Sequence, residues 1–299
     1  MSGFLRVRLN GGIGNQLFQY SAGYALAQRW GKKLEIEIPR ESLQNFHGHP
    51  RPYALDSFTI TAAPKAFQPL YRLITSRSPY LYPILPPLRK LLSITLIDEI
   101  PGKQTLPNLL YEPEPSGNIS LSGYWQQPDV LPLIEEKLRL ELAFKRPASG
   151  SNRLMLEMIL KDPCAVSLHV RRGDYLKIQD APLLSLDYYQ SSISQMIDRI
   201  RSSHGQDQTQ SSVHTTISFY IFSDDMPWCR AYLPQLFPAP ASPNVSHHFV
   251  DINNEENAFE DLRLMSSCCH HIVAKSSFSF WGAWLNPSPS KIVIQPGTF

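Results

Sequence analysis

Residues 4–38 of the chain, FLRVRLNGGIGNQLFQYSAGYALAQRWGKKLEIEI, carry the clearest pattern of secondary structure. Apolar and polar side chains alternate over 4–9, as in a strand with one buried face, and a glycine-rich loop follows. Apolar residues then recur at helical spacing from 16 to 30, and Gly31 can end that helix. Residues 34–38 read as a second strand. This order of strand, turn, helix and strand is typical of the start of a parallel α/β sheet.

The second half of the chain repeats the alternation. We predict strands at 165–170, 217–222, 247–250, 270–274 and 291–295, and helices at 186–201, 227–233, 258–267 and 278–285. Strands separated by helices predict a parallel, doubly wound sheet, so we assign the chain to the α/β class. In such sheets ligands bind beyond the carboxyl ends of the strands. That rule selects three loops, 171–175, 223–226 and 275–279.

The length of 299 residues allows two domains, each with its own core. Ten prolines lie between residues 64 and 115, which favours short helices and ordered loops over long interior strands. A helix is predicted at 128–142. Because Pro147 and Gly150 interrupt the next stretch, we predict an N-terminal domain at 1–147 and a C-terminal domain at 148–299.

Charge and cysteine content exclude several classes of protein. A formal net charge of +2 is small for a sequence-independent nucleic-acid binder, so no nucleic-acid partner is expected. The four cysteines form no C-x-x-C pair and are expected to be buried thiols. The run Cys268-Cys269-His270-His271 lacks a second ligand pair at zinc-site spacing, so no metal site is predicted.

The N-terminus runs directly into the first strand. It shows no charged leader followed by an apolar segment, and the sequence holds no apolar run long enough to span a membrane. We therefore expect a cytoplasmic protein, with peripheral contact to a membrane surface as an open alternative.

The strongest chemical motif is His169-Val170-Arg171-Arg172-Gly173-Asp174-Tyr175. Two adjacent guanidinium groups leave the end of a buried strand, where unpaired positive charge is costly. A diphosphate matches their fork of donors, Asp174 can orient one arginine, and Gly173 permits a tight turn. The competing interpretation is a surface turn in which Arg172 pairs with Asp174.

Two further strand-end segments bear polar groups. In residues 275–282 (KSSFSFWG), serines can cap a helix or offer hydroxyl and backbone N–H groups to phosphate, and the phenylalanines read as core or stacking residues. In 223–225 (SDD), a carboxylate can bind the N1–H and amino groups of guanine, hold a divalent ion, or cap the next helix. The adjacent spacing favours base recognition or capping.

The glycine loop Gly12-Ile13-Gly14-Asn15-Gln16-Leu17 resembles G-x-G-x-x-G only in part. Leu17 stands at the third glycine position, so a nicotinamide dinucleotide site is weakly supported. At the start of a helix, Asn15 and Gln16 can reach a sugar or a phosphate. A structural role in capping is the alternative for Asn15.

Together these segments resemble glycosyltransferase family 11, the α-1,2-fucosyltransferases. The resemblance rests on six segments in order: 11–19, 123–126 (GYWQ), 169–175, 222–225 (FSDD), 259–266 (FEDLRLMS) and 276–285. The set is highly specific, although each piece alone is not. The proline-rich middle lacks a clear counterpart, and we interpret it as the variable acceptor side.

The resemblance implies a GT-B fold, with two Rossmann-like domains facing a cleft. It implies inverting transfer of fucose from GDP-fucose, as donor substrate, to the 2-hydroxyl of a terminal β-galactoside on an oligosaccharide or glycolipid, with no metal and no cofactor. Arg172 would stabilise the leaving diphosphate, supported by Asp174. The implied donor-binding residues are Asn15 and Gln16 in the N-terminal domain, and Arg171, Asp224, Ser277, Phe278, Ser279 and Phe280 in the C-terminal one, with Asp224 reading guanine.

Two questions stay open at this point. Asp174, Glu260 and His169 are the candidates for a base that activates the acceptor hydroxyl. The alternative functions are α-1,6- or protein O-fucosyl transfer, which share the H-x-R-R motif, and non-catalytic binding of a sugar nucleotide.

Overall fold

The computed structural model describes residues 3–38, 43–44, 50–62, 64–65, 68–179, 181–204, 216–238 and 244–297. The chain divides into two compact units, Met1–Lys145 and Arg146–Phe299, called unit 1 and unit 2 below. The boundary predicted after residue 147 lies two residues beyond this division. Each unit contains one five-stranded sheet whose neighbouring strands all run parallel. The predicted α/β class is therefore confirmed.

The strands of unit 1 are β1 Phe4–Arg8, β2 Lys33–Glu37, β3 Leu43–Gln44, β4 Pro50–Arg51, β5 Pro64–Lys65, β6 Ile94–Asp98 and β7 Asn118–Ser122. Its α-helices are α1 Ile13–Trp30, α2 Pro69–Ile74, α3 Pro86–Leu91, α4 Leu106–Tyr111 and α5 Glu135–Glu141. The sheet order is β5-β2-β1-β7-β6, and β3 and β4 form a separate antiparallel pair. The predicted β1-α1-β2 opening is confirmed.

The packing of α1 on β1 explains the pattern at the start of the chain. Leu5 and Val7 of β1 are buried. A methyl group at Gly23 of α1 would overlap the side chain of Val7, so glycine lets this helix approach the strand closely. Gly31 ends the helix in the left-handed conformation with a φ of 62°, which glycine adopts without strain. The loop of residues 9–12 consequently leaves the carboxyl end of a central strand.

Two features of unit 1 differ from the sequence-based expectation. The helix predicted over 128–142 is divided into a 3-10 turn at Pro128–Leu133 and α5, because Pro132 has no N–H to continue the helical hydrogen bonds. Strands β6 and β7 were not predicted. β6 lies at the edge of the sheet, and prolines close to an edge strand are tolerated.

The strands of unit 2 are β8 Ala165–Val170, β9 Ile217–Ser223, β10 Val245–Phe249, β11 His270–Ile272 and β12 Val293–Ile294. Its α-helices are α6 Gly150–Lys161, α7 Leu186–His204, α8 Met226–Tyr232, α9 Ala258–Ser266 and α10 Ser277–Leu285. The sheet order is β10-β9-β8-β11-β12. The predicted strands and helices are present with shifted ends, whereas α6 was missed.

The core of unit 2 lies on both faces of its sheet. All six residues of β8 are buried. Ile193 and Met196 of α7 pack on one face, and Ile159 of α6 and Leu264 of α9 pack on the other. The sequence of β8, AVSLHV, alternates between apolar residues and the polar Ser167 and His169, and burial on both faces encloses these polar side chains as well.

Within the described residues, no cluster of three or more His, Cys, Asp or Glu side chains is placed to hold a metal ion. Cys164, Cys229 and Cys268 are buried free thiols, and burial raises the pKa of each. None of the helices in this part of the chain combines the length and apolar character needed to cross a bilayer.

Candidate active site

Three loops meet at the carboxyl edge of the unit 2 sheet. The loop after β8 contacts the loop after β9 through Asp224, whose Oδ1 accepts a hydrogen bond of 2.8 Å from the backbone N–H of Arg172. It contacts the loop after β11 through Tyr175, whose hydroxyl donates to the carbonyl of Lys275 at 3.2 Å. The structure thus brings together the three loops that the strand-end rule selected.

Arg171 is held by two carboxylates. Its Nη2 lies 2.7 Å from Asp174 Oδ2, and its Nη1 lies 2.8 Å from Asp224 Oδ2. The guanidinium also lies 5.3 Å from the centre of the Tyr175 ring. Asp174, expected to support Arg172, therefore pairs with Arg171. Asp224 has both oxygens engaged, and the predicted contact with guanine would require these bonds to open.

Arg172 is held more loosely than Arg171. Its Nε lies 3.4 Å from Asp225 Oδ2, and its guanidinium stacks over the Trp228 ring at 4.2 Å. In the part of the chain that the structure describes, neither terminal nitrogen of Arg172 has a hydrogen-bond partner. Stacking fixes the plane of the fork while two NH₂ groups stay available to an anion.

Gly173 is required by the close approach of two loops. A Cβ at this position would lie 2.8 Å from Asp224 Oδ2 and 3.1 Å from the Asp224 carbonyl oxygen. Any side chain would push the loop after β8 away from the loop after β9 and break the contacts of Asp224. The glycine of the motif is thus a packing requirement.

His169 lies beneath the arginines. It is 4% exposed, and burial lowers the pKa of its imidazole to about 4. Its ring packs 5.3 Å from the ring of Phe278, and its Nδ1 has no hydrogen-bond partner among the described residues. A neutral imidazole with so low a pKa is a weak base, so the predicted catalytic role of His169 is replaced by support for the loop.

The first turn of α10 supplies backbone donors. Ser276 is its N-cap residue, and the N–H of Phe280 makes a 3.0 Å bond to the Ser276 carbonyl. The N–H groups of 278 and 279 precede that bond, so the helix itself provides no acceptors for them. Ser277, Phe278 and Phe280 are partly exposed. This end of the helix can receive phosphate oxygens.

Ser279 differs from its neighbours in this turn. It is fully buried, and its Oγ accepts a 2.8 Å hydrogen bond from the N–H of Ala274. Its hydroxyl holds the loop between β11 and α10. A contact between this hydroxyl and a phosphate or ribose is not supported by that position.

Glu260, another candidate base, is held in a buried ion pair. Its Oε2 lies 2.8 Å from Nε of Arg263, and both side chains are about nine-tenths buried. Arg263 also donates to the carbonyl of Arg146 at 2.7 Å. Glu260 therefore anchors α9 to the start of unit 2.

In unit 1, the glycine loop places Asn15 and Gln16 differently. Asn15 is partly exposed, and its Oδ1 accepts a 2.8 Å hydrogen bond from Nε2 of the exposed Gln126. Gln16 is fully buried: it donates to the carbonyls of Gly11 and Pro52 and accepts from the N–H of Ala54, at 2.9–3.0 Å. Its amide hydrogens and its oxygen are all engaged within unit 1, which does not support the prediction that Gln16 binds the donor.

The GYWQ segment is organised by Glu99. Oε2 of this carboxylate accepts from the N–H groups of Tyr124 and Trp125 at 2.7 and 2.9 Å. Gln19, buried in α1, ties the same segment to the glycine loop, because it accepts from the N–H of Asn10 and donates to the carbonyl of Gly123. Asn15 and Gln126 are thereby fixed at the carboxyl edge of the unit 1 sheet.

Two residues of these sites, Trp228 and Glu99, were not singled out from the sequence. Asp225 and Tyr175 belong to quoted segments, but their contacts with Arg172 and Lys275 were not predicted. Asp225 caps α8 by accepting from the Trp228 N–H at 3.2 Å, and capping at this position was foreseen for the SDD segment. The partnership between Trp228 and Arg172 joins residues far apart in sequence and leaves no local signal.

Two parallel α/β units, one bearing paired arginines and an open helix N-terminus at its strand ends, define a glycosyltransferase of the GT-B type. The chain belongs to glycosyl transferase family 11, because the model of this family matches residues 113–298. The resemblance seen in the sequence is thereby confirmed.

Curated relatives are similar over nearly the whole chain. An alpha-1,2-colitosyltransferase of Escherichia coli is 28% identical over 97% of this chain and 90% of its own length. The O-antigen biosynthesis glycosyltransferase WbnK of Escherichia coli is 26% identical over 96% of this chain and 92% of its own. These relatives support a glycosyltransferase enzyme.

A solved structure shares the fold at low sequence identity. A mutant of FUT1 from Arabidopsis thaliana, in complex with GDP, superposes with a TM-score of 0.54 at 10% identity, covering 100% of this chain and 72% of that one. The similarity extends over both units of the chain.

Proposed function

We propose that the enzyme transfers L-fucose from GDP-fucose to the 2-hydroxyl of a terminal β-galactoside, with inversion and without a metal ion. The observation that carries the proposal is Arg172, whose stacked guanidinium keeps both terminal nitrogens available at the edge where the loops after β8 and β9 meet. The name of one relative, an alpha-1,2-colitosyltransferase, supports the α-1,2 linkage. The GDP complex of a structural neighbour supports the nucleotide.

The diphosphate would be recognised by individual hydrogen-bond donors and not by a net positive charge of the site. The ion-paired side chains at this edge are two arginines and three aspartates, which sum to −1, and Lys275 in the loop after β11 brings the sum to zero. A broad positive field is therefore absent from this group of side chains. A diphosphate would instead be held by the fork of Arg172 and by N–H groups in the first turn of α10.

Arg172 would act where charge develops. As the bond between fucose and the β-phosphate breaks, negative charge grows on the phosphate oxygens and the sugar becomes positively charged. Donors already fixed in place stabilise this state without reorganising, and losing one typically costs about 2.7–4 kcal/mol of barrier. Arg171 and Asp174 would position the loop through their ion pair.

Of the three predicted bases, Asp174 is the one that the geometry favours. His169 has a pKa of about 4, lowered by burial, and Glu260 is paired with Arg263. Asp174 is also ion-paired, with Arg171 at 2.7 Å, but it lies in the same loop as Arg172, at the sheet edge where ligands bind. We propose Asp174 as the group that accepts the proton of the acceptor hydroxyl, with its ion pair to Arg171 opening in that step.

The acceptor would contact neutral amide groups in unit 1. Asn15 and Gln126 form a surface pair whose amides can donate to and accept from sugar hydroxyls. Glu99 and Gln19 hold the backbone beneath this pair. We further propose peripheral contact between the enzyme and a membrane, as suits a glycolipid acceptor.

A second candidate donor is GDP-colitose, because an alpha-1,2-colitosyltransferase is among the relatives that match nearly the full chain. Colitose is fucose without its 3-hydroxyl. A site that hydrogen-bonds that hydroxyl would strongly reject colitose, whereas an apolar site would accept both sugars. Comparing kcat/KM for the two donors with one acceptor decides between them.

The experiment that tests the proposal is transfer from GDP-fucose to a panel of soluble β-galactosyl disaccharides, followed by NMR analysis of linkage and anomer. We expect an α-1,2 linkage to galactose and full activity after dialysis against EDTA. An α-1,6 linkage or transfer to a peptide hydroxyl would support the alternative fucosyltransferase types. Tight GDP binding without transfer to any acceptor would support a non-catalytic binding protein.

A further inference from the structure

The segment of residues 69–92 in unit 1 has an unusual surface. It contains seven large apolar side chains that are exposed to solvent: Leu70, Leu73, Tyr80, Tyr82, Ile84, Leu91 and Leu92. Single exposed apolar residues are ordinary on protein surfaces, but a concentration of this kind marks an interaction surface.

The segment is ordered by one buried arginine. Arg89 of α3 donates to the carbonyls of Ile74, Ser76 and Tyr82 at 2.8, 3.1 and 3.2 Å. Its guanidinium also lies 4.6 Å from the centre of the Tyr82 ring. Arg89 therefore ties α3 to the end of α2 and to the turns between the two helices. The apolar residues are displayed by a fixed scaffold.

The segment itself contains basic residues and no acidic one. Residues 69–92 include Arg72, Arg77, Arg89 and Lys90. Arg89 is buried, and Arg77 is paired at 2.6 Å with Asp98, just outside the segment. Lys90 is exposed and lies next to Leu91. Apolar side chains flanked by basic ones match a surface with acyl chains below anionic headgroups.

Residues 69–92 belong to the proline-rich middle that we interpret as the acceptor side, but within unit 1 they lie away from the loops with Asn15 and Gln126. Leu91 and Leu92 come just before β6, so they lie at the amino edge of the unit 1 sheet. The loops with Asn15 and Gln126 leave the carboxyl edge of that same sheet. Changes at Leu91 are thus remote from the groups proposed to bind the acceptor.

We infer that residues 69–92 form the surface by which the enzyme docks on an anionic lipid membrane. The inference extends the membrane contact proposed above and is independent of the donor and acceptor assignments. Leucine and isoleucine side chains would enter the boundary of headgroups and acyl chains, while Lys90 contacts lipid phosphate. Because the segment lies in interfacial helices and turns, binding would be reversible.

The test is co-sedimentation of the full chain with vesicles of phosphatidylethanolamine and phosphatidylglycerol, compared with vesicles of phosphatidylcholine alone. The double variant Ile84→Ser, Leu91→Ser should lower the partition coefficient at least tenfold, since transfer of one large apolar side chain is worth about that factor. Lys90→Glu should lower it about fivefold on the anionic vesicles and little on phosphatidylcholine.

Matched controls lie on α6 of unit 2. Leu154 and Leu160 are 61% and 66% exposed, close to the 66% and 78% of Ile84 and Leu91. Leu154→Ser with Leu160→Ser, and Lys161→Glu, should leave vesicle binding unchanged. Fucose transfer to a soluble galactoside should stay within twofold of wild type in the Ile84, Leu91 variant, so that loss of docking and loss of activity are told apart.

Three outcomes would overturn the inference. The first is wild-type protein that stays in the supernatant with anionic vesicles. The second is an equal loss of binding in the control pair. The third is a wild type that dimerises in sedimentation velocity while the Ile84, Leu91 variant is monomeric, which would make the surface an interface between two copies of the chain.

Discussion

The carboxyl edges of the two sheets are built from different chemistry. In unit 2 the loops are fixed by ion pairs among arginines and aspartates, with distances of 2.7–3.4 Å. In unit 1 they are fixed by glutamine and asparagine amides, together with Glu99, whose partners are two backbone N–H groups and the amide of Gln127. The same topological position is thus charged in one unit and largely neutral in the other.

This difference indicates which part of the reaction each unit serves. A leaving diphosphate needs donors that carry charge, and Arg172 supplies them. Sugar hydroxyls need donors and acceptors without charge, which amides provide. We therefore place donor chemistry at the unit 2 edge and recognition of neutral sugar at the unit 1 edge.

The largest expected effect comes from removing the charged fork. Arg172→Ala should lower kcat at least about 100-fold, because one donor fixed at the developing charge is typically worth 10²–10³. Arg172→Lys should recover only part of this loss, since lysine lacks the planar fork. Steady-state kinetics with GDP-fucose and a soluble galactoside measures both.

Arg230→Ala is the matched control for Arg172→Ala. Arg230 also belongs to unit 2, pairs with an aspartate and lies over an aromatic ring, but it is half-exposed: its contact with Asp251 is 3.4 Å and its guanidinium lies 4.8 Å from the centre of the Phe249 ring. Turnover should not change. If Arg172→Ala and Arg230→Ala behaved alike, the charged edge of unit 2 would have no special part in the chemistry.

A smaller effect, on stability, is expected at the amide edge. Gln16→Leu leaves the N–H of Ala54 and the carbonyls of Gly11 and Pro52 without their partner. Unsatisfied groups of this kind should lower the free energy of unfolding by about 2–3 kcal/mol. Denaturant titration measures this loss.

The control for Gln16→Leu lies in the same helix. Gln28 is exposed near the end of α1, and Gln28→Leu should change stability by less than about 0.5 kcal/mol. Equal effects at both positions would show that Gln16 does not hold the glycine loop, and its predicted role in donor binding would then reopen.

The smallest expected effect is on the pH dependence of stability, through the buried imidazole of His169. The folded-state pKa of His169 is lowered by burial to about 4, against about 6.5 in the unfolded chain. The unfolded chain therefore binds the extra proton first as the pH falls, and stability is lost between these two values. The loss is about 1.4 kcal/mol per pH unit, or about 2 kcal/mol at pH 5.

His169→Phe should remove this part of the acid sensitivity, as followed by denaturant titrations at pH 7 and pH 5. His271, whose pKa burial lowers to about 3, keeps its own contribution. At pH 7 the variant should retain kcat within about tenfold, because a base is typically worth 10²–10⁴. A loss beyond 100-fold with the fold intact would make His169 a catalytic residue after all.

The predictable parts of the fold were those with a strong local period. Strand β1 and helix α1 pack through Leu5, Val7 and Gly23, and strand β8 is buried on both faces, so each leaves a pattern in its own sequence. Helix α6 was missed because it begins at Gly150, directly after a proline-containing stretch that reads as a boundary. Strand β7, NISLS, alternates polar and apolar residues as strands do, but this signal is only five residues long and directly follows a proline-containing stretch.

The sequence predicted which loops of unit 2 form the site, but not which residues contact one another within it. The strand-end rule found the three loops of unit 2, because topology alone places them on one edge. The partners of Arg171, Arg172 and Gln16 could not be read from the sequence. Asp224, Trp228 and Pro52 are all distant in the chain, and only the fold brings them near.

The central claim is that the unit 2 edge binds a diphosphate through Arg172. Calorimetric titration with GDP and with guanosine isolates that part of the ligand, since the two differ only by the diphosphate. Wild type should bind GDP at least about 100-fold more tightly than guanosine, and Arg172→Ala should reduce this preference at least about tenfold while its affinity for guanosine is unchanged. Equal affinity for the two ligands in wild type, or a preference that survives Arg172→Ala, would contradict the account.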